Sequence, residues 1–193
     1  MAPRGAPIDW LLFGLLGLIW GSSYLFIKIG VEAVGPFTLV ALRCLFAGLF
    51  LGVVLRIAGE PIPRDLRTLA HLAMVGLVSI FIPFVLIASG ELHVTSGLAA
   101  VLNATTPLFT ILIAGLALRD EPVRPTTLGG LLVGFAGVAV VTAPALFGEG
   151  GSTPDPMALP AQVAIALAAA SYAAGAVYVR RTIRGTRPMV ISF

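Results

Sequence analysis

A stripe of aromatic and basic side chains lies in the first apolar stretch of the chain. Trp20, Tyr24 and Lys28 follow one another at four-residue intervals, with Ser23 beside them, so on a helix they share one face. In lipid a hydroxyl or an ammonium group costs free energy unless it finds a partner. Anchoring at the membrane surface accounts best for Lys28. Trp20 would lie about 12 Å deeper along a helix. At that depth it either anchors the helix at the membrane surface or lines a polar cavity, and the sequence favours neither alternative.

A single arginine interrupts the second apolar stretch. Arg43 would lie about 10 Å from the start of a helix that begins at Pro36. Because a charge at such a depth costs at least about 2.5 kcal/mol on insertion scales, it must reach the outer surface, pair with a carboxylate or contact an anionic group of a substrate. Glu32 and Glu91 are the candidate carboxylates, and all three alternatives stay open. No acidic residue falls clearly inside an apolar stretch, so the sequence predicts no intramembrane proton carrier.

Polar side chains also occur in the middle of two later apolar stretches. Asn103 and Thr106 precede a proline, and a carboxamide at membrane depth needs a hydrogen-bond partner on another helix or on a substrate. Two tyrosines near the end of the last apolar stretch could complete the same wall. We therefore predict a substrate pathway formed by Trp20, Ser23, Tyr24, Arg43, Asn103, Thr106, Tyr172 and Tyr178.

The residue pattern does not favour an enzyme. The two histidines, His71 and His93, would lie near the cytoplasmic and the outer surface of the membrane respectively, too far apart to share a metal ion or to activate a nucleophile. The patterns H-E-x-x-H and G-x-S-x-G do not occur, and Cys44, the single cysteine, cannot form an intramolecular disulfide. We expect no catalytic residue, no metal site, no cofactor and no nucleic-acid partner; the expected partners are the lipid bilayer and a small-molecule substrate.

The elements that must position these side chains are membrane-spanning helices. Hydrophobic residues make up 58% of the 193 residues and charged residues 11%, against roughly 25% charged in soluble domains. The charges separate apolar stretches that each approach or exceed the roughly 18–20 residues needed to cross a bilayer. The sequence therefore predicts an all-α integral membrane protein, a multi-span helix bundle with spans at about 8–28, 36–57, 67–89, 94–118, 125–146 and 158–180.

The distribution of basic residues predicts the orientation of the chain. Arg4 precedes span 1, and the other arginines of the connections lie between spans 2 and 3, between spans 4 and 5, and after span 6. Under the positive-inside rule these connections are cytoplasmic. We therefore expect a multi-pass protein of the cell (cytoplasmic or inner) membrane with its N-terminus in the cytoplasm. The net charge of +3 is then explained by the arginines in these cytoplasmic connections.

Two kinds of residue predict how the helices pack. Proline inside a helix frees a backbone carbonyl and bends the helix, so Pro83 and Pro107 predict irregular third and fourth spans. Glycines four residues apart let helix backbones approach closely. Such pairs occur at Gly17/Gly21, Gly48/Gly52 and Gly130/Gly134.

Three segments of the chain resemble the EamA domain of the drug/metabolite transporter superfamily. Trp20–Leu51 has the Trp-Gly-Ser, Lys, Pro-Phe and Ala-Leu-Arg pattern of its first two spans, Thr95–Glu121 resembles the fourth span, and Gly129–Val141 the glycine-rich fifth. The resemblance implies a permease that moves a small metabolite or amino-acid-like compound by rocking of repeats around a midplane site. With no ATP-binding motif in the chain, transport would be secondary or facilitative, and efflux is the expected direction.

Span 6 is weakly similar to span 1. In register, Trp20 corresponds to Tyr172, and Lys28 to Arg180. Because span 6 comes five spans after span 1, an odd number, the second copy would be inverted, as in many secondary transporters.

The two similarities together divide the chain into parts. Residues 8–146 form a first EamA repeat, 147–157 a periplasmic or extracellular linker, and 158–193 the start of a second repeat. Full-length members of the family resemble two five-helix repeats. The alternative to a transporter is therefore a truncated or non-transporting membrane subunit that needs a second copy of the chain or a complementary half.

Overall fold

The protein is a bundle of six membrane-spanning helical segments. The computed structural model describes residues 7–59, 63, 65–117, 125–147 and 155–182, and within these ranges the regular structure is entirely helical. Six segments are long and apolar enough to cross a membrane. Four spans are continuous helices: span 1 is α1 (Pro7–Val34), span 2 is α2 (Pro36–Ala58), span 5 is α7 (Pro125–Phe147) and span 6 is α8 (Ala158–Thr182). Span 3 consists of α3 (Leu66–Gly76), a π-helical turn (Leu77–Phe81) and α4 (Ile82–Gly90). Span 4 consists of α5 (Ser96–Asn103) and α6 (Thr106–Ala117). The predicted all-α multi-span fold is confirmed.

The helix ends follow from local sequence. Gly35 has a φ of 77°, a conformation that residues with a Cβ rarely adopt, and it lets the chain reverse from α1 into α2. Pro36 opens α2, where its missing N–H needs no partner. The Asp65 carboxylate caps α3 by accepting a hydrogen bond from the Thr68 N–H at 2.8 Å. The Thr95 hydroxyl caps α5 in the same way.

A π-helical turn precedes Pro83 in span 3. In this turn the Ile82 N–H donates to the Leu77 carbonyl, five residues back. Pro83 is next and has no N–H, so the same register leaves the Val78 carbonyl without a backbone donor. The Ser171 hydroxyl of span 6 donates to that carbonyl at 2.6 Å. A side chain from another span therefore supplies the hydrogen bond that the proline removes.

The break in span 4 has a similar cause. Pro107 cannot donate to the carbonyl of Asn103, four residues back, and α5 ends at Asn103 while α6 begins at Thr106. The Thr106 hydroxyl donates to the Asn103 carbonyl at 2.7 Å. The Thr105 hydroxyl donates to the Leu102 carbonyl at 2.6 Å. The break therefore leaves the Asn103 side chain free to point at other spans.

Span 6 forms the centre of the described bundle. It packs against spans 3 and 4, and most of its buried residues are small or aliphatic, such as Ile165, Ala169 and Ala173. Small residues let helices approach closely in lipid, where contact rather than water exclusion drives association. The N-terminal half of α1, by contrast, is exposed throughout.

The closest helix contacts differ from those predicted by the paired glycines. A Cβ added to Gly17, Gly21, Gly48 or Gly130 would meet nothing within 4 Å in the described bundle, whereas one added to Gly134 would lie 3.0 Å from Leu108. The closest approaches occur instead at Gly90, which faces span 6, and at Gly175, which faces span 3. A Cβ on Gly90 would meet Ile165 at 2.6 Å, and a Cβ on Gly175 would meet Ser79. Spacing along one helix could not show which helix face has a partner.

The division into repeats stays a prediction. The segment between α7 and α8 and the chain after Thr182 lie largely outside the described residues.

Replacing Ser171 with alanine tests the hydrogen bond between spans 3 and 6. The Val78 carbonyl would lose its donor, and we expect a loss of about 1–2 kcal/mol in the free energy of unfolding, measured by thermal unfolding in detergent. Ser22→Ala is the matched control because, among the described residues, the Ser22 hydroxyl bonds only the Ile19 carbonyl of its own helix. Equal stability of the two variants would show that the Ser171 contact contributes nothing.

Candidate substrate cavity

A cavity of about 1000 Å³ lies among spans 1, 2, 3, 4 and 6. Its volume lies at the upper end of the range that accommodates small-molecule ligands. Most of its wall is apolar, with a few polar side chains, as in typical ligand pockets. Seven of the eight side chains predicted for the substrate pathway line it: Trp20, Ser23, Tyr24, Arg43, Asn103, Thr106 and Tyr172.

Arg43 is the one charged residue among the described side chains that line the cavity. Its guanidinium Cζ lies 4.5 Å from the centre of the Phe84 ring, and its Nη2 donates to the Ser23 hydroxyl at 3.5 Å. No carboxylate of the described residues forms a salt bridge with it. An aromatic face and a hydroxyl stabilise the cation only partly. The site is therefore complementary to an anionic group.

A hydrogen bond between spans 1 and 4 borders the same space. The Asn103 amide Nδ2 donates to the Tyr24 hydroxyl at 2.7 Å, and the Asn103 Oδ1 has no donor among the described residues. Tyr24 and Tyr172 are close enough to interact electrostatically with each other and with Arg43. Four spans thus bring hydroxyl, amide and guanidinium groups together at one part of an apolar wall.

Tyr178 lies apart from the other predicted pathway residues. Its hydroxyl is 2.6 Å from the His71 Nδ1, and the two ring centres are 5.9 Å apart. This contact joins spans 3 and 6 at the opposite end of span 6 from Ala158, and Tyr178 is not among the residues that line the cavity. A role for Tyr178 in transport stays a prediction.

Glu91 is a buried carboxylic acid near the cavity. In the sequence analysis it is only one of two candidate partners of Arg43. It lies in the turn between spans 3 and 4, has 0% exposure, and neither carboxylate oxygen accepts a hydrogen bond from the described residues. The Lys28 ammonium donates to the Glu91 backbone carbonyl and forms a salt bridge with Glu32 at 3.4 Å. Burial raises the pKa of Glu91 to about 7, and the positive charges of Lys28 and Arg43 oppose this rise.

The position of Glu91 in the chain explains why sequence analysis did not predict a buried acid there. It directly follows an apolar run and so reads as the polar end of a span. Gly90 before it approaches span 6 closely, and this close packing buries the acid. A glutamate next to a glycine at the end of a span was the available signal.

The fold and the cavity define a class of protein: a multi-span helical membrane protein with a binding cavity between its spans. Residues 9–143 match the EamA-like transporter family. The chain belongs to this family, and its helices therefore lie in lipid. Within the described residues, no group of three or more His, Cys, Asp or Glu side chains could hold a metal ion.

Relatives with transporter names are similar to 63–70% of the chain. The chain is 35% identical over 136 residues to the "Uncharacterized inner membrane transporter YedA" of Escherichia coli, covering 70% of this chain and 43% of that protein. It is 28% identical to an "Uncharacterized transporter" of Archaeoglobus fulgidus, covering 70% and 48%. It is 30% identical to a "Probable terminal-alkyne amino-acid exporter" of Streptantibioticus cattleyicolor, covering 63% and 40%.

The chain thus spans less than half the length of these curated relatives. No solved structure is significantly similar to it.

Proposed function

We propose that this chain forms a substrate-binding part of a secondary or facilitative transporter that exports a small amphipathic metabolite with an anionic group. An amino-acid-like compound fits this description. The observation that carries the proposal is the apolar cavity whose one described charge is Arg43. One of the relatives bears the name of an amino-acid exporter, which agrees with it.

The wall of the cavity has groups that suit both the charged part and the apolar part of such a substrate. Arg43 offers donors for a carboxylate, and charge-assisted hydrogen bonds of this kind are stronger than neutral ones. Asn103 also lines the cavity, and its Oδ1 accepts no hydrogen bond from the described residues, so an ammonium or hydroxyl group of the substrate would supply a donor for this amide. Trp20 and the aliphatic lining contact an apolar side chain. A metabolite with separate charged and apolar ends therefore satisfies the cavity better than a fully polar one.

Transport would require the cavity to open alternately to the two sides of the membrane. We infer that rocking of the first repeat against a second, inverted repeat provides this movement, with span 6 as the first helix of the second repeat. The comparisons give no support to the alternative of a non-transporting subunit.

A transport assay tests the proposal. Vesicles that contain the purified chain are loaded with labelled L-phenylalanine, and efflux is compared with that from empty vesicles. Phenethylamine, the same compound without the carboxylate, is the control substrate. We expect faster efflux of L-phenylalanine and no acceleration for phenethylamine. Equal acceleration of both would contradict recognition of an anionic group, and no acceleration of either would contradict transport of this probe by the chain.

The orientation is tested by reporter fusions. Because arginines cluster on alternate sides, we expect the N-terminus and the end of span 6 in the cytoplasm, and the connection between spans 5 and 6 outside it. Alkaline phosphatase, which is active only outside the cytoplasm, should be active when fused after Gly150 and inactive when fused after Gly185. The reverse pattern would show that the chain is inserted the other way round.

A further inference from the structure

We propose that Glu91 is a proton-binding site coupled to the cavity, such that a proton on Glu91 and an anionic ligand group at Arg43 stabilise each other. This inference rests on the proposed function, because it requires an anion in the cavity. It adds a coupled proton, for which the sequence offered no carrier.

The first step is the environment of the Glu91 carboxylate. It is fully buried and accepts no hydrogen bond from the described residues. A carboxylate in such a place is stabilised only by nearby charge. Protonation removes the cost of burying that charge. The two states of Glu91 are therefore close enough in free energy for a change in one neighbouring charge to select between them.

The second step is the set of charges around Glu91. Span 1 contributes Lys28 and the Tyr24 hydroxyl, and span 2 contributes Arg43; all three interact electrostatically with the acid. Span 4 has no ionisable residue in α5. Span 6 packs on Gly90 through the uncharged Ala161 and Ile165, while Asp155 before it pairs with His93 at 3.1 Å.

The third step separates the roles of the two cations. Lys28 forms a salt bridge with Glu32 and donates to the Glu91 backbone carbonyl, and it is not among the residues that line the cavity. Arg43 lines the cavity and has no salt bridge among the described residues. A ligand in the cavity therefore reaches Arg43 and leaves the contacts of Lys28 in place. Binding of a ligand in the cavity therefore affects the protonation of Glu91 through the charge of Arg43.

The sign of the coupling follows from electrostatics. The positive charge of Arg43 favours ionised Glu91. An anion bound at Arg43 cancels part of that charge, so the carboxylate becomes less stable and takes up a proton. By reciprocity, protonation of Glu91 removes a negative charge that offsets the positive charge of Arg43. The anion therefore binds more tightly at Arg43. Ligand affinity therefore falls as the pH rises through the pKa of Glu91, which is about 7.

Titration of Glu91 without any ligand is the first test. The carboxyl infrared band that disappears in Glu91→Gln is followed against pH in the wild type, Arg43→Gln and Arg43→Lys. Loss of the positive charge in Arg43→Gln mimics an anion at Arg43, so we expect the midpoint to move to higher pH, by about one unit. Arg43→Lys keeps the charge and should titrate near the wild type. An unchanged midpoint in Arg43→Gln would overturn the coupling.

Binding of L-phenylalanine is the second test, measured at about pH 5.5 and about pH 8.5, on either side of the Glu91 pKa. We expect the wild type to bind it roughly fivefold or more tightly at the lower pH. Glu91→Gln should bind with an affinity that does not change with pH, and this comparison removes titration of the probe itself. The same pH dependence in both proteins would overturn the proposal. Absence of binding to either protein at both values would contradict the proposed substrate class, while the ligand-free titration still decides the coupling.

Discussion

Replacing Arg43 with glutamine should lower the initial rate of L-phenylalanine efflux by about ten- to hundredfold. A hydrogen bond to a charged group contributes about 1.5–3 kcal/mol, and each 1.4 kcal/mol corresponds to a factor of ten. Arg43 is the one charge among the described residues of the cavity wall, so no neighbouring cation there can replace it. The same substitution should raise transport of phenethylamine, whose ammonium group the arginine repels.

Arg56→Gln is the matched control for this prediction. Arg56 lies on the same helix and carries the same charge, but it is exposed in the last turn of α2, away from the cavity. We expect its efflux rate to stay within about twofold of the wild type, which corresponds to about 0.4 kcal/mol. If both variants lose the same activity, Arg43 acts through insertion or overall charge. If neither loses activity, Arg43 does not bind the substrate.

Replacing Gly175 with leucine should separate span 6 from span 3 and lower the free energy of unfolding by about 3 kcal/mol. A Cβ at this position would clash with the Ser79 hydroxyl and would lie 3.1 Å from the Ser79 Cβ and 3.6 Å from its Cα. The hydroxyl can rotate away from a single methyl group, whereas a leucine side chain needs space that the backbone of the π-helical turn occupies. Separation would also break the hydrogen bond from Ser171 to the Val78 carbonyl.

A graded series makes this test specific, with thermal unfolding in detergent as the measurement. Gly175→Ala should cost less than Gly175→Leu, because only the Ser79 side chain has to move. Gly137→Leu is the control, since Gly137 is an exposed helix residue with nothing within 4 Å of an added Cβ. Similar stability for Gly175→Leu and Gly137→Leu would mean that spans 3 and 6 can separate without cost.

The spans were predictable because the requirement for crossing a membrane is local. About 20 apolar residues in succession satisfy it, and hydropathy along the chain locates the spans within two residues of the helices observed, except that α1 continues to Val34, six residues beyond the predicted end of span 1. Pro83 and Pro107 likewise marked the irregular parts of spans 3 and 4, since the missing N–H is a property of the residue itself. The motif from Trp20 to Leu51 was sufficient to indicate the family.

The residues that line the cavity were only partly predictable. Trp20, Tyr24 and Asn103 attract attention because polar or amphipathic side chains at membrane depth need partners. Tyr178 met the same criterion, yet it contacts His71 and not the cavity. A hydrogen bond to a neighbouring helix and one to a substrate satisfy a hydroxyl equally well. Sequence cannot distinguish them.

By itself the sequence determined the number of spans, the positions of their breaks and the membership of the EamA-like transporter family, because each depends on residues close together in the chain. Only the tertiary structure decided that Gly90 and Gly175 form the close helix contacts and that Glu91 is buried beside Lys28 and Arg43. These features depend on which faces of distant helices meet. In lipid that choice is made by shape and hydrogen bonding between helices, which the periodicity of one helix does not record.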